Sequence, residues 1–79
     1  MKVTIENPVL NLYTRKEMLD VNFEFMLILN RITIASNVTD LKQSFSHLVG
    51  TKFFDIKFDF NFLTVTQKLT GNTIITVNF

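Results

Sequence analysis

The sequence predicts an α+β fold. It consists of an antiparallel sheet of five to six strands, left open or curled into a small barrel, with one helix between the third or fourth strand and the C-terminal hairpins. Three observations predict it. Residues 53–79 read as two tightly connected hairpins built around phenylalanine. Residues 38–49 carry the one clear helical stripe. A chain with a single alanine, Ala35, but many Thr, Ile, Val and Phe has the residues that fill strands rather than helices.

The first element is a strand at Lys2–Glu6, where Val3 and Ile5 alternate with polar neighbours. Asn7-Pro8 interrupts the ladder, because proline has no donor and restricts the residue before it. Val9 to Tyr13 then resumes an extended path. Thr14-Arg15-Lys16-Glu17 matches a capping box, but Met18-Leu19-Asp20-Val21 returns to alternation, so a tight turn is expected here. From Leu19 the odd positions Val21, Phe23, Phe25, Leu27 and Leu29 form an apolar row. Met26 and Ile28 make the opposite side apolar too, the pattern of a central strand covered on both faces. Ile32 and Ile34 form a short further strand.

The helix lies between Val38 and Val49, where Val38, Leu41, Phe45 and Leu48 follow i, i+3, i+7, i+10. Asn37 or Thr39 caps its start, Asp40 suits its positive end, and Gly50 supplies the residue past its C-terminus. Phe54, Ile56 and Phe58 then alternate with Asp55, Lys57 and Asp59. The apolar phase switches before Leu63, which places a turn at residues 59–62. A three-residue loop, Thr70-Gly71-Asn72, closes the last hairpin. It pairs Gln67 with Ile75, Val65 with Val77 and Leu63 with Phe79, and gathers most apolar residues on one face.

At 79 residues the chain is read as one domain, of a size where a single core only just suffices. Aromatic residues make up 13%, nine of them Phe, and supply much area per side chain. The formal charge of +1 lacks the basic excess of a dedicated nucleic-acid or membrane-surface protein. The absence of cysteine excludes a disulfide framework and a thiolate metal site. Residues 1–6 hold no apolar signal region, and the run through Met26-Leu27-Ile28-Leu29 is too short to span a bilayer. The expectation is a soluble, cytoplasmic protein with no membrane partner. Its Asn, Ile, Phe and Lys usage fits AT-rich coding, as in a low-GC bacterium, its phages or other mobile elements.

No catalytic, cofactor-binding or metal residue is assigned, and no enzyme is expected. His47 is the only histidine; Ser44 lies three residues away, but no orienting acid or oxyanion hole is marked. It reads as a solvated residue near a helix C-terminus. Asp55, Asp59 and Asn61 lack the glycine and distal glutamate of a calcium loop, and strand alternation accounts for the two aspartates. The order of elements resembles that of the OB-fold barrel. That resemblance implies single-stranded nucleic acid as an alternative ligand, with Phe53, Phe60 and Phe62 stacking on bases and Lys52, Lys57 and Lys68 near phosphates. Asp55 and Asp59 interrupt that stretch, and the apolar phase places Phe54 and Phe58 inside, so the reading is disfavoured.

The stronger signal is surplus hydrophobicity. Met26, Ile28, Phe53 and Ile74 fall opposite the main apolar rows, and a contiguous patch on so small a protein marks an interface. The terminal strand offers an edge for an added strand. The function expected is a non-enzymatic interaction module that binds a protein partner or itself as a homo-oligomer. Met26, Ile28, Phe53 and Ile74 form its face, with Phe60 and Phe62 as loop anchors.

Overall fold

Between Thr14 and Ile34 two readings of the same apolar residues compete, and the helical one prevails. In the computed structural model, which describes residues 2–46 and 51–79, helix α1 spans Arg15–Ile34. The expected central strand and the short strand after it are one helix of 20 residues. Val21, Phe25, Ile28 and Ile32, at i, i+4, i+7 and i+11, form its buried inner face. The alternation that suggested a strand arises because the outer side of α1 is apolar as well. Both periods then fit, and a run this long without Gly or Pro belongs to a helix.

The start of α1 is set by the capping box. Thr14 Oγ1 accepts the Glu17 N–H at 3.2 Å, and the Glu17 carboxylate accepts the Thr14 N–H at 3.0 Å. The Thr14 backbone bond, and then the Thr14 hydroxyl, hold the Glu17 carboxyl below its ordinary value of 4.5.

The remaining elements are β1 (Lys2–Ile5), α2 (Val38–Ser44), β2 (Phe54–Phe58), β3 (Phe62–Gln67) and β4 (Thr73–Asn78). The strands form one open antiparallel sheet in the order β1-β4-β3-β2. The α+β class holds, with two corrections. Among the described residues the sheet has four strands instead of five or six and does not close into a barrel, and there are two helices instead of one. The missing strands are the segment that became α1 and Val9–Tyr13, which is a connection.

The last hairpin keeps its expected faces but not its register. Leu63 pairs with Val77 and Val65 with Ile75, two residues away from the expected partners. A shift of two preserves which side chains share a face, because they alternate with period two. The loop is Lys68–Asn72, longer than expected, closed by Gly71 N–H to the Gln67 carbonyl at 2.8 Å and Gln67 N–H to the Asn72 carbonyl at 2.9 Å. Gly71 sits at φ +72, a region glycine enters without steric cost. A bulge between Val65 and Thr66 alters the pairing at the start of β4, where Ile74 and Ile75 are both buried.

One face of the sheet carries the core. Phe54, Ile56, Leu63, Val65, Ile75 and Val77 join the inner face of α1 in a single apolar cluster, with the Phe25 and Phe54 rings 6.3 Å apart. Val3 and Ile5 pair with Val77 and Ile75 on this same face, yet stay 40% and 47% exposed, so the cover of α1 stops short of β1. At one end of the sheet Phe45, just past α2, meets Phe58, which stacks on Phe79. Asn37 caps α2, its side chain accepting the Asp40 N–H at 2.9 Å. α2 ends at Ser44, short of the expected Val49, with Phe45 as its C-cap; Leu48, Val49, the expected glycine stop at Gly50 and His47 lie outside the described residues.

At the other end the β1–α1 connection crosses the sheet from edge to edge. Glu6 N–H bonds the Ile74 carbonyl at 2.7 Å. Gln67, fully buried on β3, then clasps Val9: its Oε1 accepts the Val9 N–H at 2.9 Å, and its Nε2 donates to the Val9 carbonyl at 2.7 Å. The same Nε2 donates to Tyr13 Oη at 2.9 Å, and the Tyr13 ring meets Phe53 edge to face at 5.5 Å.

Gln67→Leu removes these bonds while keeping the volume apolar. It is expected to lower the unfolding free energy by about 2–4 kcal/mol, since it strands part-buried groups of the connection. Urea denaturation measures this, and a loss under about 0.5 kcal/mol would show the connection is held elsewhere. Because the Glu17 pKa is lower in the folded state, its carboxylate stabilises the fold fully above the unfolded value of 4.5. That contribution is lost as pH falls through the depressed folded value. Glu17→Gln keeps the cap acceptor without the charge. The melting-temperature advantage of the wild type over this variant should therefore shrink below pH 4.5 and vanish in stronger acid.

Candidate interaction surface

Helix geometry separates residues that a strand would have placed together. Met26 and Ile28 lie about 200° apart around α1, at 3.6 residues per turn. Ile28 is accordingly fully buried against the sheet, and Met26 is 54% exposed. Leu19, Phe23, Leu27 and Ile34 share the outer side with Met26, each between 44% and 77% exposed, with Asn30 among them. Arg15, Lys16, Asp20 and Asn22, also exposed, lie near the N-terminal half of this stripe.

The six residues expected to form an interface divide into two groups. Ile28, Phe53 and Ile74 are buried: under α1, beneath the Tyr13 ring, and beside the β4 bulge. Met26, Phe60 and Phe62 are exposed, but not on one surface. Phe60, at 92% the most exposed large apolar residue described, tops the β2–β3 turn, and Phe62 opens β3 beside it. Met26 stands on α1. Among the described residues no apolar second sheet face is found: away from α1 the sheet presents Lys2, Thr4, Thr64, Thr66, Thr76 and Asn78, with Asp55 and Lys57 on β2 and Phe62 at the start of β3. The terminal strand β4 is internal, between β1 and β3, so among the described residues the edge strands are β1 and β2.

Reading residues 19–29 as a strand hid the outer stripe of α1. The signal that finds it is the capping box at Thr14, which starts a helix whose inner positions are Val21, Phe25, Ile28 and Ile32. Every apolar residue between those positions then falls outward or to the flank.

A second feature is an open concavity of about 350 Å³ lined by Tyr13, Glu17, Lys52, Phe53, Lys68 and Leu69. Its ionisable groups have local partners. Glu17 serves the helix cap, Lys52 lies 5.3 Å from the centre of the Phe53 ring, and Lys68 stands 3.9 Å from Asp55. Glu24 on α1 turns inward: one carboxylate oxygen is 3.4 Å from the Phe53 N–H, and the other is buried without a partner among the described residues. The described residues contain no group of three or more His, Asp or Glu side chains placed to share a metal ion, and no helix long and apolar enough to cross a membrane. No protein family, curated protein or solved structure matches the chain.

The two sides of α1 should respond to truncation differently. Ile28→Ala is expected to cost about 3 kcal/mol, the sum of lost burial and a cavity. Met26→Ala, measured in dilute solution, should change stability by less than about 0.5 kcal/mol. Equal losses in chemical denaturation would contradict the two-sided reading of the helix.

Proposed function

We propose that this chain is a small, non-enzymatic protein-interaction module that acts by surface complementarity. The observation that carries this reading is the outer face of α1, where Leu19, Phe23, Met26, Leu27 and Ile34 face solvent while the inner face is spent on the core. A surface helix normally turns a polar side outward, and a contiguous apolar strip on a small folded protein marks a docking site. Two further features support it. Val3 and Ile5 stand half-exposed on a free edge strand, whose outward backbone groups are open to an added strand. Phe60 is a projecting aromatic anchor, a side chain that buries much area with few rotatable bonds.

Docking gains its free energy from desolvating the stripe, and the nearby charges of Arg15, Lys16 and Asp20 select among partners. A cytoplasmic assembly component, phage-encoded or otherwise, and an inhibitor or adaptor both work in this way. The alternative of single-stranded nucleic acid has less support: Phe60 and Phe62 are exposed, but the sheet is open and Phe53, the third expected stacking residue, is buried beneath Tyr13.

Selection of a random-sequence peptide library on the immobilised chain tests the reading. Enriched peptides should bind about tenfold or more weakly to Phe23→Asp or to Ile5→Lys, a loss of one hot-spot contact or one added strand. Failure to enrich, or peptides indifferent to both substitutions, would overturn it.

A further inference from the structure

The residue spacing along the outer face of α1 is the same from either end. Leu19, Phe23, Met26, Leu27, Asn30 and Ile34 are separated by 4, 3, 1, 3 and 4 residues, a palindrome centred between Met26 and Leu27. A two-fold axis through that centre, perpendicular to the helix, lays a second copy antiparallel across the first. Leu19 then lies opposite Ile34 of the second copy, Phe23 opposite its Asn30, and Met26 opposite its Leu27. A two-fold contact requires this kind of self-complementarity. Sliding the copies by one helical turn in either direction leaves Leu19 or Ile34 without an apolar partner.

We infer that the occupant of this face is a second copy of the chain, docked antiparallel through α1. The inference rests on the interaction reading above and names its partner. With roughly 200 Å² for a large apolar residue, the five exposed apolar residues of the stripe leave about 600 Å² open to solvent. Pairing two stripes removes at most roughly 1,200 Å², which reaches the lower bound of a specific interface. The stripe runs about 22 Å along the helix, so the contact is long and narrow, as a helix pair requires.

Electrostatics select the antiparallel arrangement. A parallel pair would set the exposed Arg15 and Lys16 of each copy side by side at one end and align the two helix dipoles. The antiparallel pair separates these charges and brings each toward the carbonyl end of the facing helix, where a cation is favoured. Asn30, the one polar member of the palindrome, faces Phe23 of the second copy at an outer layer, clear of the apolar centre at Met26 and Leu27.

The chain has no cysteine, so single introduced cysteines report position without background. Leu19→Cys and Ile34→Cys are prepared separately and treated with a short bis-maleimide, alone and as a mixture. Light scattering follows the untagged wild type and Phe23→Asp over a wide concentration range. The expected result is a wild-type dimer of the 9.2 kDa chain. Phe23→Asp is expected to halve that mass with an unchanged circular dichroism spectrum, and cross-linking to appear only in the mixture. Cross-linking within each variant alone would overturn the antiparallel arrangement. A wild type that stays monomeric throughout would overturn self-docking. Peptide enrichment sensitive to Phe23→Asp in such a monomer would leave the interaction reading standing by itself, so the two failures are separable.

Discussion

One buried amide determines how the chain gets from its edge strand to its helix. β1 ends at one margin of the sheet, and α1 must begin where its inner face can cover β4, β3 and β2. The connection has to cross the end of the sheet, and its backbone groups lose water as it does so. Gln67 supplies what a further strand would have supplied, an acceptor for the Val9 N–H and a donor for the Val9 carbonyl. Its second amide hydrogen reaches Tyr13, one residue before the helix cap at Thr14. A buried glutamine is tolerated only when its amide is satisfied, and here one acceptor bond and two donor bonds accomplish this. Fixing Tyr13 fixes Thr14, and the capping box then sets where α1 starts.

The rest follows from a shortage of cover. One long helix seals the part of the sheet beneath it, and the aromatic contacts of Phe45, Phe58 and Phe79 close the far end. Nothing described covers Val3 and Ile5, or the side of α1 turned away from the sheet. Thirteen large apolar side chains among the described residues stay exposed. Eight of these stand elsewhere in the fold, and singly exposed apolar residues need no explanation. The other five lie along one helix face. Small domains commonly reach adequate stability through association, and the same surface that costs solubility in a monomer provides the driving force for docking.

Much of the framework was legible in the sequence because local chemistry was unambiguous there. The β2 alternation of Phe54, Ile56 and Phe58, the Asn37 cap and a loop around Gly71 all stand close to where the residues placed them. The capping box at Thr14 to Glu17 was also visible, but the alternation after it outweighed it. The interface was less legible. Met26 and Ile28 look equivalent as neighbouring apolar residues in a two-sided strand, and become opposites once the backbone winds at 3.6 residues per turn. Leu19, Phe23, Leu27 and Ile34 gave no separate signal, since each also suited a buried strand.

Local chemistry alone specified the broad α+β class, a helix cap at Asn37 or Thr39, the place of the last hairpin and which of its side chains share a face. These depend on interactions within a few residues of each other, or on strict alternation. Only the tertiary structure decided that residues 15–34 are a helix, that the hairpin register lies two residues from the expected one, and that Ile74 is buried beside a bulge. A segment apolar on every side satisfies both the strand and the helix period, so its pattern cannot select between them. In the fold the segment winds as a helix on one face of the sheet, which buries one of its sides and leaves the other to solvent.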